Sequence, residues 1–220
     1  MTYSAPSYTE PGFWENEILD MLFPRSPVQA GQFNQDSDLL RQLPFIPGLK
    51  ELLMTRQVHA LEHATVWVLS NMATQPRSHV NAINIESVGG LSTERGFYLY
   101  GSVATEDLSR AAQTALRRIT TGEWELAVHP RCGTNLSVGM LLTAGLTLGA
   151  SVLLPRGPIE QLLGVGVAAM TAAHLAPEVG AWAQRYITTA IPFNLAISNV
   201  VALRDTLGRP AHFVEVCWVD

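Results

Sequence analysis

Apolar positions near the start of the chain recur with the period of a helix. Residues 48–73 contain no proline and no interior glycine, and their apolar side chains repeat three or four positions apart. This spacing predicts one long helix, which Pro76 ends. Residues 1–47 show only a short amphipathic stretch at residues 14–23, so we expect an irregular N-terminal lead-in.

Period-two alternation follows the long helix. Residues 83–88 and 97–103 alternate between apolar and polar side chains. Gly89-Gly90 and Arg95-Gly96 lie between these two runs and supply turn-forming residues. The pattern therefore predicts a β-hairpin with a longer loop.

The next run predicts a second helix. Residues 108–119 are amphipathic and follow Thr105, a residue type that caps helices. Residues 124–128 and residues 213–219 have the apolar content and length of short strands.

Two long apolar runs then change the character of the chain. Residues 136–154 carry no charge, and at about 1.5 Å per residue they nearly cross the roughly 30 Å hydrocarbon core of a bilayer. Residues 162–176 are apolar except for Thr171 and His174. A buried hairpin in a soluble core is the alternative, but little amphipathic sequence is left to cover it. The runs therefore predict a transmembrane helical hairpin over residues 136–180, with the lipid bilayer as partner.

Arginine placement predicts the orientation of the hairpin. Arg117, Arg118 and Arg131 precede the first span and Arg185 follows the second, whereas the turn between the spans carries only Arg156. The positive-inside rule places both flanking parts in the cytosol. We therefore expect an integral protein of the cytoplasmic or thylakoid membrane with both termini cytosolic.

Small residues in the two runs predict close helix packing. Gly145 and Gly149 form a GxxxG pattern, and four small residues of the second run are expected to face it: Gly164, Gly166, Ala168 and Ala169. A homo-oligomer or a membrane-protein partner could bind through these Gly-rich spans.

These patterns together predict an α+β fold. Residues 48–135 form a small cytosolic domain, made of the long helix, the β-hairpin and the second helix, and residues 136–180 form the two-helix transmembrane hairpin. Residues 181–220 form a C-terminal cytosolic segment that packs on the domain, with residues 186–203 as an interfacial or packed helix.

Composition narrows the class of protein. Hydrophobic residues make up 47% of the chain and charged residues 15%, which excludes a disordered polymer. The net charge of -5 argues against nucleic acid as a partner, since phosphate binding needs a concentrated basic face. Two cysteines are too few for a disulfide scaffold, and the N-terminus lacks the pattern of a signal peptide.

The long helix carries a candidate metal motif, His59-Ala-Leu-Glu62-His63. Histidines four positions apart lie on one face of a helix, about 5–6 Å apart at Cβ, so both can bind one ion. Glu62 lies at the edge of that face, where a carboxylate can act as general base in an H-x-x-E-H site. The alternative is a helix whose histidines make only structural contacts.

A second cluster, His129-Pro-Arg-Cys132-Gly-Thr134, directly precedes the first apolar run. A turn rich in proline and glycine allows His129 and Cys132 to point at one ion. Three imidazoles and one thiolate form a ligand set that suits zinc. We therefore expect zinc, or another divalent metal, to be bound by His59, His63, His129 and Cys132. His79 and His212 are expected at the surface.

Both motifs resemble those of two families. The matching pieces are His59-Ala-Leu-Glu62-His63, followed by Ala-Thr65, and His129-Pro-Arg-Cys132-Gly-Thr134 ahead of an apolar span. They look like an uncharacterised membrane family of cyanobacteria and related bacteria, known as a domain of unknown function. They also resemble the YqhQ-like family of proposed metal-dependent membrane enzymes, where the first motif reads H-G-A-E-H-K. Residues 184–189 resemble a third motif.

The resemblance covers about residues 50–205 and implies a metal site and a membrane location. Ala60 replaces the usual glycine, and the region after Thr189 lacks the acidic residues of the broader family. The resemblance implies no substrate.

These observations leave three functions open. The first is a zinc-dependent hydrolase at the cytoplasmic membrane face, with Glu62 as catalytic base. The second is a non-enzymatic integral membrane protein whose metal is structural, which a closed four-ligand site would favour. The third is an assembly or scaffold factor of a membrane complex that binds its partner through the Gly-rich spans.

Overall fold

The computed structural model describes residues 35–73, 88–155 and 157–219. The described residues form two compact units. The first contains the described residues up to Ala127 and again from Thr189 onward, and the second is Val128–Thr188. The amphipathic stretch at residues 14–23, the predicted strand residues 83–87 and His79 lie outside the described residues.

The helices of the first unit include the predicted long helix. We label Gln35–Gln42 α1, Leu49–Ala73 α2 and Thr105–Thr120 α3, and a short 3-10 helix spans Trp124–Ala127. Helix α2 confirms the prediction for residues 48–73. The strand predicted at residues 124–128 is wrong, because this short segment turns as a 3-10 helix directly after α3.

Two details of the other helices differ from the sequence predictions. Helix α1 lies within the predicted irregular lead-in, and its polar composition gives no apolar period from which a helix could be predicted. The helix is stabilised by charges that interact favourably with its dipole, namely Asp36 and Asp38 in the first turn and Arg41 in the last turn. At α3 the N-cap is Ala104, which has no side-chain cap. Thr105 is instead the first helical residue, and its Oγ1 lies 3.2 Å from His212 Nε2.

Four antiparallel strands form one sheet in the order β1-β2-β4-β3. They are β1, Gly89–Thr93; β2, Gly96–Tyr100; β3, Leu195–Arg204; and β4, Pro210–Trp218. A hairpin is present as β1 and β2, but β1 lies wholly within the predicted loop, because Gly89 to Thr93 form a strand. Of the first strand predicted at residues 83–88, only Val88 is described, and it precedes β1. The turn is shorter than predicted because Gly96, with φ of 145°, follows Glu94-Arg95 directly.

The C-terminal segment is a strand pair. The helix predicted over residues 186–203 is wrong, since β3 occupies its second half. Pro192 and Asn194 disfavour a helix there, and the β-branched Ile197, Val200 and Val201 favour a strand. Strand β4 confirms the terminal strand predicted at residues 213–219.

The core of the first unit lies between the helices and one face of the sheet. Helix α2 contributes Leu61 and helix α3 contributes Leu108, while Phe97, Leu99 and Val214 project from the sheet, and all five are fully buried. Burying such a side chain stabilises the fold by about 1.5–3 kcal/mol. This packing fixes α2, and with it the candidate metal motif, over the sheet.

The second unit is built from two helices that are long and apolar enough to span a membrane, by length and composition. Helix α4 is Gly133–Leu153 and helix α5 is Pro158–Ala183, which continues as a π-helical turn over Gln184–Thr188. No residue of α4 is buried, and large apolar side chains such as Leu141 (73% exposed) and Leu153 (85% exposed) face outward. This exposure supports membrane association, because water disfavours apolar patches of this extent.

The helices approach each other at small residues, and one of these is the predicted Gly164, where a Cβ atom would lie 3.6 Å from the Ala150 Cβ. A Cβ atom at Gly139 would lie 3.5 Å from the Ala176 Cβ, so the backbones are close there. Nothing lies within 4 Å of such an atom at Gly145 or Gly149. The prediction that this GxxxG pattern packs against the second span of the hairpin is therefore wrong.

Candidate metal centre

One turn of α2 brings together His59, Glu62 and His63. The imidazole rings of His59 and His63 lie with centroids 4.3 Å apart and planes at 63°. His63 and Glu62 are buried, and His59 is half-buried. Two imidazoles this close on one helical face suit a shared divalent ion, because both can direct a ring nitrogen at one point.

The carbonyl group of Ala127 fixes the tautomer of His63. His63 Nδ1 donates a hydrogen bond to Ala127 O over 2.6 Å, and the 3-10 helix Trp124–Ala127 holds this carbonyl in place. The proton therefore lies on Nδ1 and the lone pair on Nε2, which is the nitrogen that binds metals in such an arrangement. His63 is therefore in the tautomer that a metal ligand needs, and the site fits a metal ion in this respect.

Strand β1 holds the carboxylate of Glu62. Ser92 Oγ donates a hydrogen bond to Glu62 Oε2 over 2.5 Å. On the same face of β1, a Cβ atom at Gly90 would overlap Glu62 Oε1. Glycine is therefore required at position 90 if the carboxylate is to keep this place. The hairpin positions Glu62 from the side opposite its own helix.

The surroundings of Glu62 alter its acidity. Burial raises the pKa of Glu62 above its usual range, although the hydrogen bond from Ser92 and the charge of His59 lower it in part. A carboxylate with a raised pKa takes up a proton more readily near neutral pH. Glu62 is therefore suited to act as a general base.

The second predicted cluster lies in the second unit, at the start of α4. The backbone N–H of His129 donates to Gln184 Oε1 (2.8 Å), and Gln184 Nε2 donates to Asn135 Oδ1 (2.7 Å). Asn135 Nδ2 in turn donates to Pro130 O at 2.8 Å. Gln184 is fully buried, so it fixes the His129 turn to the end of α5.

Cys132 occupies the N-cap of α4. Its Sγ accepts a hydrogen bond from the Thr134 N–H at 3.4 Å, and its side chain is half-buried. His129 and Cys132 lie in one turn, since the Cys132 N–H donates to His129 O at 3.2 Å. These two residues belong to the second unit and His59 and His63 to the first. That all four bind one ion stays a prediction.

Three contacts of the motif residues were not predicted from sequence. In the first unit they are those of the Ala127 carbonyl with His63 and of Ser92 with Glu62, and in the second unit that of Gln184 with His129. A contact made by a backbone carbonyl does not depend on the residue type, so the sequence does not reveal it. A serine in a strand likewise gives no indication that it contacts a residue of a helix. The adjacent glycines at positions 89 and 90 are the one available signal, because glycine within a strand marks close approach of another group. His212 was expected at the surface, but it is 5% exposed and lies on the core side of β4.

Comparisons with known proteins identify relatives. The family model described as a domain of unknown function (DUF6391) matches residues 54–200. An uncharacterized protein of Picosynechococcus sp. is 52% identical over 193 residues, which cover 86% of this chain and 92% of the relative. No solved structure matches the chain. Neither the family's description nor that of the relative names a reaction.

Proposed function

The chain belongs to the family described as a domain of unknown function, DUF6391, and we propose that it is a zinc-dependent hydrolase that acts at the cytoplasmic face of a membrane. One observation carries the proposal: a single turn of α2 presents two adjacent imidazoles beside a buried carboxylate that is held from the opposite side by Ser92. A helix that needed only core packing would not place three such groups together at the cost of burying them.

The residues divide the chemical roles between them. His59 and His63 would hold the ion, which when bound would polarise a carbonyl group and acidify water in the site. Glu62 would accept a proton from the attacking water and return it to the leaving group. Ser92 and the Ala127 carbonyl keep Glu62 and His63 in the orientations that these roles require.

The choice of zinc and of further ligands follows from residue chemistry. Imidazole and thiolate ligands favour zinc over magnesium or calcium. His129 and Cys132 remain the proposed additional ligands on the basis of their motif. The resemblance of both motifs to the YqhQ-like family supports a metal-dependent membrane enzyme.

The membrane location of the proposed enzyme rests on α4 and α5. Their apolar surfaces would face the lipid bilayer, and the arginine distribution supports cytosolic termini. A homo-oligomer or another membrane protein could bind the glycine side of α4, where Gly145 and Gly149 have open space.

Glu62→Gln tests the catalytic role without a known substrate. Glutamine keeps the size of the side chain and an acceptor for Ser92 but removes the base. We expect the zinc Kd of the purified full chain to stay within about threefold of wild type, while turnover on any substrate found falls by roughly 10²–10⁴. His63→Ala is the control that should lose the metal.

The competing function is a structural metal site in a non-enzymatic assembly or scaffold factor. There Glu62 would serve only to orient a ligand, and its loss would weaken zinc affinity about 10–100-fold. A loss of that size in Glu62→Gln would contradict the hydrolase proposal.

A further inference from the structure

Strand β1 is an edge of the sheet, since within the described chain it pairs only with β2. The direction of its backbone groups follows from the bonds on the other side of β2. Two hydrogen bonds flank β2 and join it to β4: Val216 N–H donates to Arg95 O (2.9 Å), and Gly101 N–H donates to Pro210 O (3.1 Å). Odd-numbered residues of this stretch therefore pair with β4, and even-numbered residues of β2 pair with β1.

The hairpin register then assigns the outer edge of β1. The even-numbered residues of β2 lie opposite Gly89, Leu91 and Thr93. The N–H and C=O groups of Gly90 and Ser92 consequently point away from β2, to the free edge. These are the same two residues that contact the Glu62 carboxylate. Within the described residues, the two residues whose backbone groups face the edge of the sheet are thus the two that approach the candidate base.

The two edges of the sheet differ in how they are protected. Along β3, the opposite edge, a bulge between Ile197 and Asn199 interrupts the register, a device that hinders pairing with another strand. Strand β1 contains no bulge, no proline and no charged residue, and its sequence is Gly-Gly-Leu-Ser-Thr. Its small side chains allow another backbone to approach.

We propose that the free edge of β1 binds an extended peptide segment as an additional strand, and that this peptide is the substrate class of the site. This inference rests on the proposed function. An extended peptide backbone offers donors and acceptors at the two-residue repeat of Gly90 and Ser92. An added strand would lie about 4.8 Å from β1, beside the two residues that approach the Glu62 carboxylate.

The reaction expected there is hydrolysis of a peptide bond. Water adds to the carbonyl carbon and transfers a proton to Glu62. The C–N bond then breaks, and that proton passes to the leaving nitrogen, so that the products are a carboxylic acid and an amine. The acid then gives its proton to the amine, which leaves a carboxylate and an ammonium group.

Binding of a peptide probe to metal-free protein tests the inference apart from catalysis. The probe is a fluorescein-labelled Thr-Val-Thr-Val-Thr-Val peptide with blocked ends, and the readout is its anisotropy with the full chain in detergent. Ser92→Pro removes the N–H that faces the free edge, whereas Ser92→Ala removes only the hydroxyl. We expect Ser92→Ala to bind within about threefold of wild type and Ser92→Pro to bind about tenfold more weakly or worse.

A second measurement needs no variant and so does not depend on the folding of Ser92→Pro. The same peptide with every backbone nitrogen methylated should not bind wild type. Equal binding of the two peptides, equal binding by Ser92→Pro and Ser92→Ala, or no binding of the probe by wild type would overturn the inference. A zinc titration of the same sample separates the two proposals: zinc binding without peptide binding defeats only this one, and peptide binding without zinc binding defeats the metal site.

Discussion

Glu62 is the residue on which the account depends most. It is buried on α2, yet its carboxylate is positioned by β1, through the hydroxyl of Ser92 and the missing side chain of Gly90. A buried carboxylate lowers the stability of a fold unless partners compensate for its lost hydration. The compensation here comes from a different element, so the geometry of this site is encoded in the hairpin as well as in the helix.

Gly90→Ala should displace the Glu62 carboxylate and break its bond to Ser92. We expect a loss of about 1–3 kcal/mol in the free energy of unfolding. Gly89→Ala is the matched control, because nothing lies within 4 Å of a Cβ atom there. In a Glu62→Ala background the cost of Gly90→Ala should fall to that of Gly89→Ala, which a double-mutant cycle in denaturant measures. Equal costs in both backgrounds would contradict the contact.

His212 should make the first unit sensitive to acid. Burial lowers the pKa of His212 below its ordinary value, its Nδ1 has no hydrogen-bond partner among the described residues, and its Nε2 contacts Thr105. Between the folded and the ordinary pKa the unfolded chain binds more protons, so the free energy of unfolding falls as the pH drops below about 6.5.

His212→Leu should therefore flatten the decline in unfolding free energy between about pH 7 and pH 5 in metal-free protein. Glu106 and Asp107 lie in the first turn of α3 beside Thr105 and are present in both proteins. His174→Leu, at an exposed histidine of the second unit, is the control. A slope that does not differ from wild type would show that protonation of His212 does not limit stability.

At the scale of elements, the helices with a strong sequence period were predicted, whereas the strand and the contacts that depend on tertiary structure were not. The period of α2 and the two apolar runs are strong enough to give their helices from sequence. Strand β3 was not predicted, because its apolar residues fit a helix as well as a strand until β4 pairs with them. The two histidines and Glu62 could be placed on one face from their spacing alone, whereas Ser92 and Ala127 reach the site only through the folded chain.

The apolar helices α4 and α5 predict a membrane hairpin with its turn outside. A cysteine introduced by Gly157→Cys should react in intact cells with a thiol reagent that does not cross membranes. Cys217, which is exposed on β4, should react only after lysis. The protein should also stay in the membrane fraction during carbonate extraction. Reaction of both cysteines in intact cells, or release by carbonate, would contradict this topology.

At the scale of the whole molecule, metal binding and folding should be linked. An ion held by His59 and His63 binds the folded chain far better than the unfolded chain and therefore raises the free energy of unfolding by mass action. For a tight site the gain is on the order of several kcal/mol. The proposed chemistry depends on whether this ion exists.

Elemental analysis of the purified full chain tests most directly whether the protein binds this metal ion. Wild type and His174→Ala should each contain about one zinc ion per chain, and His63→Ala should contain well under a tenth of that amount, because two adjacent imidazoles are the minimum of the proposed ligand set. Wild-type protein that holds no stoichiometric metal even after reloading with zinc, or His63→Ala that holds as much as His174→Ala, would contradict the account.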